Sequence, residues 1–529
     1  MSNNNDQAFL RPFPVAPSMP DSPSDHGRRD AGIPRGLTLA IALLLVALPL
    51  ATYWNTTFHE FGLRDDYSNL CEAREQPGKI LHFIASHARP LYGVLLEYSF
   101  GCLDSIGELE WLRFAGAIGL GLVAALLFGL LRRLGWNLAA ATFAAAAVSL
   151  TPAAQVIASW ATAWPYTVAA LLSLGGFALA DGGGEHQQGY RRAGAALLMA
   201  AGALIYQPSG LFYLVGVAAA LPRRRESRLK DNLYWASAHL LVVFAGLAAA
   251  FLTVKALYLA GVFEASARIA FEHDPVGKFW WFLQGPLPNA LSLFVLNDDD
   301  GSTRRAYSAS IWIATALLAA GWGVEWWRRG RRVGGFWLIL LVVLPPAVYG
   351  VNLVVADRYA SYRTTFALTG VLLVFLALSW ANLCSLARRG GRFIELSGYA
   401  VALVLAIYTA RLHAFSLIAA PQGGELQIIQ DAANRVVLRD QPVKIYFVWP
   451  SIADSPAEIV YHDEFGSLST NNDWMPKEIF DEFMHERFPA MPNRERFYEI
   501  QTGIGPPSKD KKFDSIIDLR KIREFDSTH

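Results

Sequence analysis

Eleven times along this chain an apolar run recurs that is long enough, or nearly so, to cross a lipid bilayer. A crossing helix needs about 20 apolar residues, with a working range of roughly 17–25. The runs lie near 37–54, 112–131, 137–152, 164–181, 193–206, 208–222, 237–260, 309–327, 334–355, 365–384 and 395–413. Backbone polar groups inside hydrocarbon have to be satisfied within their own segment, so runs of this kind are helices. The expected fold is an all-α polytopic membrane protein of about 11 transmembrane helices.

Charge is scarce and unevenly placed. Only 17% of the 529 residues are charged, against about 25% in soluble domains. Residues 416–529 hold 13 Lys+Arg and 19 Asp+Glu, whereas everything before them holds 33 and 26. The expected organisation is a disordered cytoplasmic tail at 1–36, a transmembrane body at 37–413 and a soluble domain at 414–529. The tail is polar, carries six Pro and does not have the form of a cleavable signal. In the last domain, 424–438 and 476–488 have helical spacing. Val443-Lys444-Ile445-Tyr446-Phe447-Val448-Trp449 has strand composition and stops at Pro450. The pattern predicts a small C-terminal α/β module. Three Cys exclude a disulfide-rich scaffold, and the apolar content excludes a disordered chain.

Cytoplasmic loops of membrane proteins are enriched in Lys and Arg. With the N-terminus placed inside, the cytoplasmic segments collect Arg132-Arg133, Arg191-Arg192, Arg223-Arg224-Arg225, Arg328-Arg329 and Arg388-Arg389. Arg192 and Arg223 bracket the apolar stretch 193–222 and belong on the same side. The break Tyr206-Gln207-Pro208-Ser209 is therefore expected at the tip of a short hairpin. Eleven crossings from an inside start put the C-terminus outside, in the periplasm of a bacterium with this chain in its inner membrane.

The external segments carry the polar chemistry. The first long loop, 55–111, contains Asp65-Asp66 among Phe58, Phe61 and Tyr67, with Arg89 further on. Its stretch 67–86 has the spacing of a surface helix. Two readings stand: a solvated loop, or an acidic site at a membrane face. Cys71 and Cys102 share this loop on the oxidising side, as a candidate disulfide or as two free thiols. The second long loop, 261–308, ends on Asp298-Asp299-Asp300. This run lacks the alternating ligands of a calcium loop and is expected as a solvated turn. The link Asp357-Arg358-Tyr359-Ala360-Ser361-Tyr362-Arg363 places two Arg beside aromatics. That combination suits phosphate or pyrophosphate through bidentate hydrogen bonds, or lipid headgroups through snorkelling. Lys255, an ionisable residue inside a span, is a further candidate. The chain has no Walker loop, G-x-S-x-G, H-E-x-x-H, CxxC or GxGxxG at a strand–helix turn, and no basic stripe for nucleic acid.

Arg64-Asp65-Asp66-Tyr67, Ala88-Arg89-Pro90-Leu91, Tyr206-Gln207-Pro208 and Arg358-Tyr359-Ala360-Ser361-Tyr362-Arg363, set on this topology, resemble the GT-C superfamily of membrane glycosyltransferases. The nearest likeness is to its O-antigen glucosyltransferase (Gtr-type) branch and bacterial relatives. Ala88 stands where that branch often has Gly. Asp463-Glu464-Phe465-Gly466 is similar to a segment of such relatives. The resemblance covers roughly 37–415. It implies a sugar donor on a polyprenyl-phosphate carrier and a glycan or lipid acceptor at the periplasmic face. Such transfer needs a base for the acceptor hydroxyl and cations for the phosphate leaving group. The expected base is Asp66, with Asp65 supporting. The expected phosphate and substrate contacts are Arg89, Arg358, Arg363, Lys255, Tyr206 and Gln207. No cofactor is demanded; a divalent cation is compatible, with no closed ligand set for it. A transporter or flippase is the other class compatible with many spans and buried ionisable residues.

Overall fold

The computed structural model describes residues 34–182, 187–266, 269–387, 389–462, 464–491 and 494–522. The expected tail as far as residue 33, together with Arg268, Arg388 and Asp463, lies outside the described residues. The described residues divide into two units, one ending at Ile41 and a second that begins at Ala42 and holds the rest of the fold.

In chain order the helices are α1 (Arg35–Thr57), α2 (Asp65–Glu75), α3 (Lys79–Ser86), α4 (Pro90–Phe100), α5 (Leu109–Arg133), α6 (Leu138–Val148) and α7 (Pro152–Ser159). There follow α8 (Pro165–Ala180), α9 (Gln188–Gly210), α10 (Tyr213–Ala219), α11 (Leu229–Leu259), α12 (Pro275–Gln284) and α13 (Pro286–Leu291). The last are α14 (Arg304–Val348), α15 (Gly350–Val354), α16 (Phe366–Cys384), α17 (Gly391–Leu412), α18 (Ala420–Arg435) and α19 (Met475–Arg487). Among the described residues, seven helical segments are long and apolar enough to cross a membrane. Two pairs, α6 with α7 bent by 52° and α9 with α10 bent by 70°, raise the number to nine when each is taken as one span.

Two helices fold back on themselves. α14 has 45 residues, about 68 Å if straight and twice the hydrocarbon thickness. It breaks at Gly330, where φ is 80°. Trp322 Nε1 then donates to the Gly334 carbonyl at 3.0 Å, a contact that an unbroken helix would not permit. α9 breaks at Tyr206 (φ −153°, ψ 106°), two residues before Pro208. The chain then returns through α10. Arg223 donates to Asp181 Oδ1 at 2.6 Å, and Arg191 lies against the adjacent Gly182. Both ends of the segment thus come back to one place, as the arginine bracketing predicts.

The body has two polar ends. One gathers the Arg-rich turns: Arg225 pairs with Glu325 at 2.8 Å, Asn137 bonds Glu395 at 2.9 Å, and Arg328 bonds Ser385 at 2.7 Å. The other gathers both long loops, the 355–365 link and the C-terminal segment. Between them the helices approach closely at small residues, as membrane helices do. A Cβ on Gly216 would fall 2.4 Å from the Phe177 ring.

The boundary expected at 413/414 lies inside a continuous helix: α17 passes through a π-helical stretch, His413–Ala419, into α18. The expected α/β elements are present as α18, strand β1 (Val443–Val448) and α19. β2 (Tyr498–Gly503) and β3 (Ser515–Asp518) flank β1 in a parallel sheet of order β2-β1-β3. Val443, Ile445, Phe447 and Val448 of β1 are buried, and Phe480 of α19 packs on Phe447 and Tyr498. This module docks on the first loop. Arg74 of α2 forms a bidentate pair with Glu482 at 3.2 and 2.9 Å, Arg494 bonds Glu75 at 2.6 Å, and Ile106 N–H reaches Glu486 at 2.8 Å.

Three loop expectations change. The helix expected over 67–86 is split into α2 and α3 at Gly78, whose φ is 89°. Cys71 and Cys102 are free thiols. Cys71 sits on α2, where burial and the nearby Glu482, Glu75 and Glu478 push its thiol pKa up, while Cys102 is exposed after α4. Asp298-Asp299-Asp300 is a turn solvated at Asp299 and Asp300, which are exposed, and it also docks on the C-terminal segment. Asp298 is buried and accepts from Val460 N–H at 3.3 Å and Ser302 N–H at 3.1 Å. Asp299 Oδ2 accepts from His462 N–H at 2.6 Å.

Candidate functional site

The site is built around the short link between α7 and α8. α7 ends at Ser159, Trp160 is extended, and one 3₁₀ turn (Ala161–Ala163) leads to Pro165 in the first turn of α8. Asp66 holds that turn. Its Oδ1 accepts from Thr162 N–H at 2.8 Å and Thr162 Oγ1 at 2.6 Å, and its Oδ2 from Leu63 N–H at 2.9 Å. Asn69 Nδ2 also reaches Thr162 Oγ1 at 3.1 Å, and the Tyr92 hydroxyl donates to the Thr162 carbonyl at 2.9 Å.

Asp66 has no solvent exposure. Burial raises its carboxyl to about 6, against the lowering effect of the Thr162 and Leu63 hydrogen bonds and of Arg113. Asp65, its neighbour on the first turn of α2, is exposed. One member of the pair faces in and the other out. Asp66, given the catalytic place on sequence grounds, has both oxygens engaged in tying the first loop to the α7–α8 link, and Asp65 is the solvent-exposed member of the pair.

Two neighbours fix the approach to this pair. Arg64 lies in the left-handed region at φ 50°, uncommon for a residue with a Cβ. Its N–H donates to Ser469 Oγ at 2.9 Å and its guanidinium to Ser467 Oγ at 3.0 Å. Arg113 of α5, wholly buried, donates to the carbonyls of Thr57 (3.1 Å), Phe61 (2.6 Å) and His59 (2.6 Å) and lies over the Phe61 ring. It clamps the exit from α1.

Beside Thr162 stands a cationic and aromatic cluster. Tyr166 of α8 stacks on Tyr206 of α9 with centroids 3.6 Å apart and planes within 8°. Tyr92 reaches the Tyr166 hydroxyl at 3.4 Å. The Arg89 guanidinium lies 4.9 Å above the Tyr206 ring, and its Nε donates to Gln207 Oε1 at 3.0 Å. Gln207 in turn donates to the Ala88 carbonyl at 3.0 Å. Arg363 lies over Trp160 at 4.4 Å and over Tyr359 at 5.7 Å. Its guanidinium is close enough to Tyr166 and Tyr206 for direct electrostatic interaction. Among the described residues, neither Arg89 nor Arg363 forms an ion pair.

The structure thus brings Arg89, Tyr206, Gln207 and Arg363 into one cluster and ties Asp66 to it through Thr162 and Tyr92. It sets Arg358 and Lys255 apart. Arg358 is paired with Glu272 at 3.3 Å and Asp274 at 3.5 Å, and Lys255 is exposed on α11. Sequence reasoning missed Trp160, Thr162, Tyr166 and Tyr92. Their signal was Trp160-Ala-Thr162-Ala-Trp164-Pro-Tyr166, an aromatic-rich and uncharged mouth between two apolar runs.

Glu464, which the sequence marked only as part of a segment of family resemblance and without a role, is wholly buried. It accepts from Ser361 Oγ, from Tyr362 N–H at 2.7 Å and from Arg363 N–H at 3.1 Å. Among the described residues, no group of three or more His, Cys, Asp or Glu is arranged to hold a metal ion. No known protein-family model matches the chain, and no curated protein matches it either.

Proposed function

We propose that this chain is a multi-pass membrane glycosyltransferase of GT-C type, which moves a sugar from a polyprenyl-phosphate carrier to a hydroxyl of a glycan or lipid acceptor. In this reading the body crosses a bacterial inner membrane eleven times, with α14 and the α9–α10 segment each counted as two crossings. The Arg-rich end faces the cytoplasm, and the loop-bearing end and C-terminus face the periplasm.

One observation carries the reading. Two half-buried guanidiniums, Arg89 over Tyr206 and Arg363 over Trp160, lie beside the Tyr166–Tyr206 stack; neither forms an ion pair among the described residues, and the Glu464 carboxylate acts on Arg363 without bonding its guanidinium. Two such cations sharing one place suit a phosphate, which guanidinium binds through paired hydrogen bonds. The aromatic faces suit the prenyl chain and the sugar ring. Transfer also needs a base, and Asp65 is the accessible carboxylate beside the cluster's Asp66 tie. It takes the proton of the acceptor hydroxyl as that oxygen attacks the anomeric carbon. The bond from that carbon to the phosphate oxygen breaks, and Arg89 and Arg363 stabilise the charge left on the carrier phosphate.

The test is transfer of labelled sugar from a polyprenyl-phosphate donor by the purified protein in detergent. Transfer without a sealed compartment supports the enzyme. Substrate movement seen only in sealed vesicles, with no covalent transfer, would replace it with the transporter reading.

A further inference from the structure

We infer that Glu464, carried by a C-terminal strap described over residues 455–462 and 464–471, is a positioning residue for Arg363. The inference rests on the reading of Arg363 as a phosphate-binding group. Glu464 is an acid with no exposure, yet its hydrogen-bond donors are neutral: the Ser361 hydroxyl and the N–H groups of Tyr362 and Arg363. Those three residues are consecutive and open the 3₁₀ turn that leads into α16. A carboxylate at the start of a helix is favoured by the unpaired N–H groups there. It is a strong acceptor and fixes three successive backbone positions in one pose.

The rest of the strap grips the same link. The Tyr461 hydroxyl donates to the Ala360 carbonyl. The Tyr362 ring packs between Tyr461 (4.7 Å) and Phe465 (5.5 Å). With its backbone held this way, the Arg363 side chain extends over Trp160. The strap also reaches the other half of the site, since Ser467 and Ser469 receive Arg64, the residue before Asp65. Gln422 and Glu425 of α18 bond Ser469 and Thr470 from behind. A segment about 100 residues away in sequence therefore sets the spacing between the acidic loop and the Arg363 cation.

The experiment is a double-mutant cycle on the full-length protein in detergent. It measures affinity for a short-chain polyprenyl phosphate, with the matching polyprenol as control, alongside donor KM and kcat. Glu464→Gln keeps the shape and removes one acceptor. It should weaken phosphate binding about tenfold, within the range for coupled neighbours, and raise donor KM more than it lowers kcat. Polyprenol binding should not change. In an Arg363→Ala background the same change should have no further effect, and Glu464→Asp should recover part of the loss.

If Arg363→Ala weakens binding while Glu464→Gln does nothing, or acts equally in both backgrounds, the positioning role falls and the proposed function stands. If Arg363→Ala itself binds polyprenyl phosphate as tightly as the wild type, the reading of the cation falls and the inference falls with it. Should Glu464→Gln fail to accumulate, Ser361→Ala removes one donor to the same carboxylate and runs the same cycle at smaller amplitude, with the same outcomes decisive.

Discussion

Two groups of arginines at the two polar ends of the helical body are held in different ways. At one end Arg223 bonds Asp181 at 2.6 Å, and Arg225 and Arg329 converge on Glu325 at 2.8 and 3.3 Å. Asp181 also takes the Trp235 indole N–H at 3.2 Å, and both acids are nearly buried. At the other end Arg89 and Arg363 lie on aromatic faces, and the nearest buried acids, Asp66 and Glu464, are occupied by backbone N–H and hydroxyl donors. Neutralised charge holds helices together, whereas charge left unneutralised in a half-buried place is available to a ligand. The difference is what supports the proposal that the Arg89 and Arg363 cluster binds an anionic ligand.

The sharpest way to break this contrast is at the acidic pair. Asp65→Asn should lower sugar transfer by about 10²–10⁴-fold, as expected for loss of a general base, with little change in thermal stability, because Asp65 is exposed. Asp66→Asn should cost stability as well as rate, since it disturbs three hydrogen bonds that hold Leu63 and Thr162. Turnover measured beside thermal melting of both variants separates the roles. If Asp66→Asn alone abolishes transfer while melting as the wild type does, the assignment reverses.

Arginine removal comes next. Arg363→Ala and Arg89→Ala should each weaken polyprenyl-phosphate binding, by roughly tenfold to a hundredfold for a charge-assisted contact. Arg358→Ala, whose guanidinium is already satisfied by Glu272 and Asp274, should bind nearly as the wild type does. Equal losses at all three positions would make the outer end a general headgroup anchor. At the opposite end, Glu325→Ala strands Arg225 and Arg329. It should destabilise the protein by about 3–5 kcal/mol, as loss of one partner of a buried pair does, while phosphate affinity of the folded fraction is unchanged. Affinity lost along with stability would mean that the two ends are not independent.

Much of this contrast was legible in the chain because it is local. Apolar runs mark helices, and the Arg192 and Arg223 clusters demand that the segment between them turn back. What was not legible depends on partners far away in sequence. Whether Asp65 or Asp66 faces inward is set by Thr162, 96 residues from the pair, and no periodicity reports that. Glu464 finds the 361–363 turn about 100 residues before it. The Trp160–Tyr166 link carries no charge, and its aromatic residues were the sole mark in its composition. β2, Tyr498-Glu-Ile-Gln-Thr-Gly503, pairs along its whole length with β1, but only Tyr498 is fully buried. It has too few apolar residues to be read as a strand.

The smallest expected effect concerns protons. The Asp66 carboxyl is held up to about 6 by burial, against its hydrogen bonds and Arg113, while in the unfolded chain it titrates near 3.8. The folded protein therefore binds a proton that the unfolded chain does not between those two values. Stability from this group rises as pH falls from about 6 toward 4 and is lost as pH climbs back through 6. A shift of about two pH units corresponds to roughly 3 kcal/mol at most. Glu482, raised to about 7 chiefly by burial, acts in the same direction. His485, lowered by burial and by Arg74, acts in the opposite one. The total slope is therefore a sum, and Asp66 is isolated by difference. Thermal midpoints in detergent, taken from pH 7 to pH 4, should rise more for the wild type than for Asp66→Asn. Parallel profiles would mean that Asp66 ionises as freely as an exposed acid, and that water reaches a carboxyl that has no exposure in the structure. The sharper division of labour, a buried tie at Asp66 and a working carboxylate at Asp65, would then lose its physical basis.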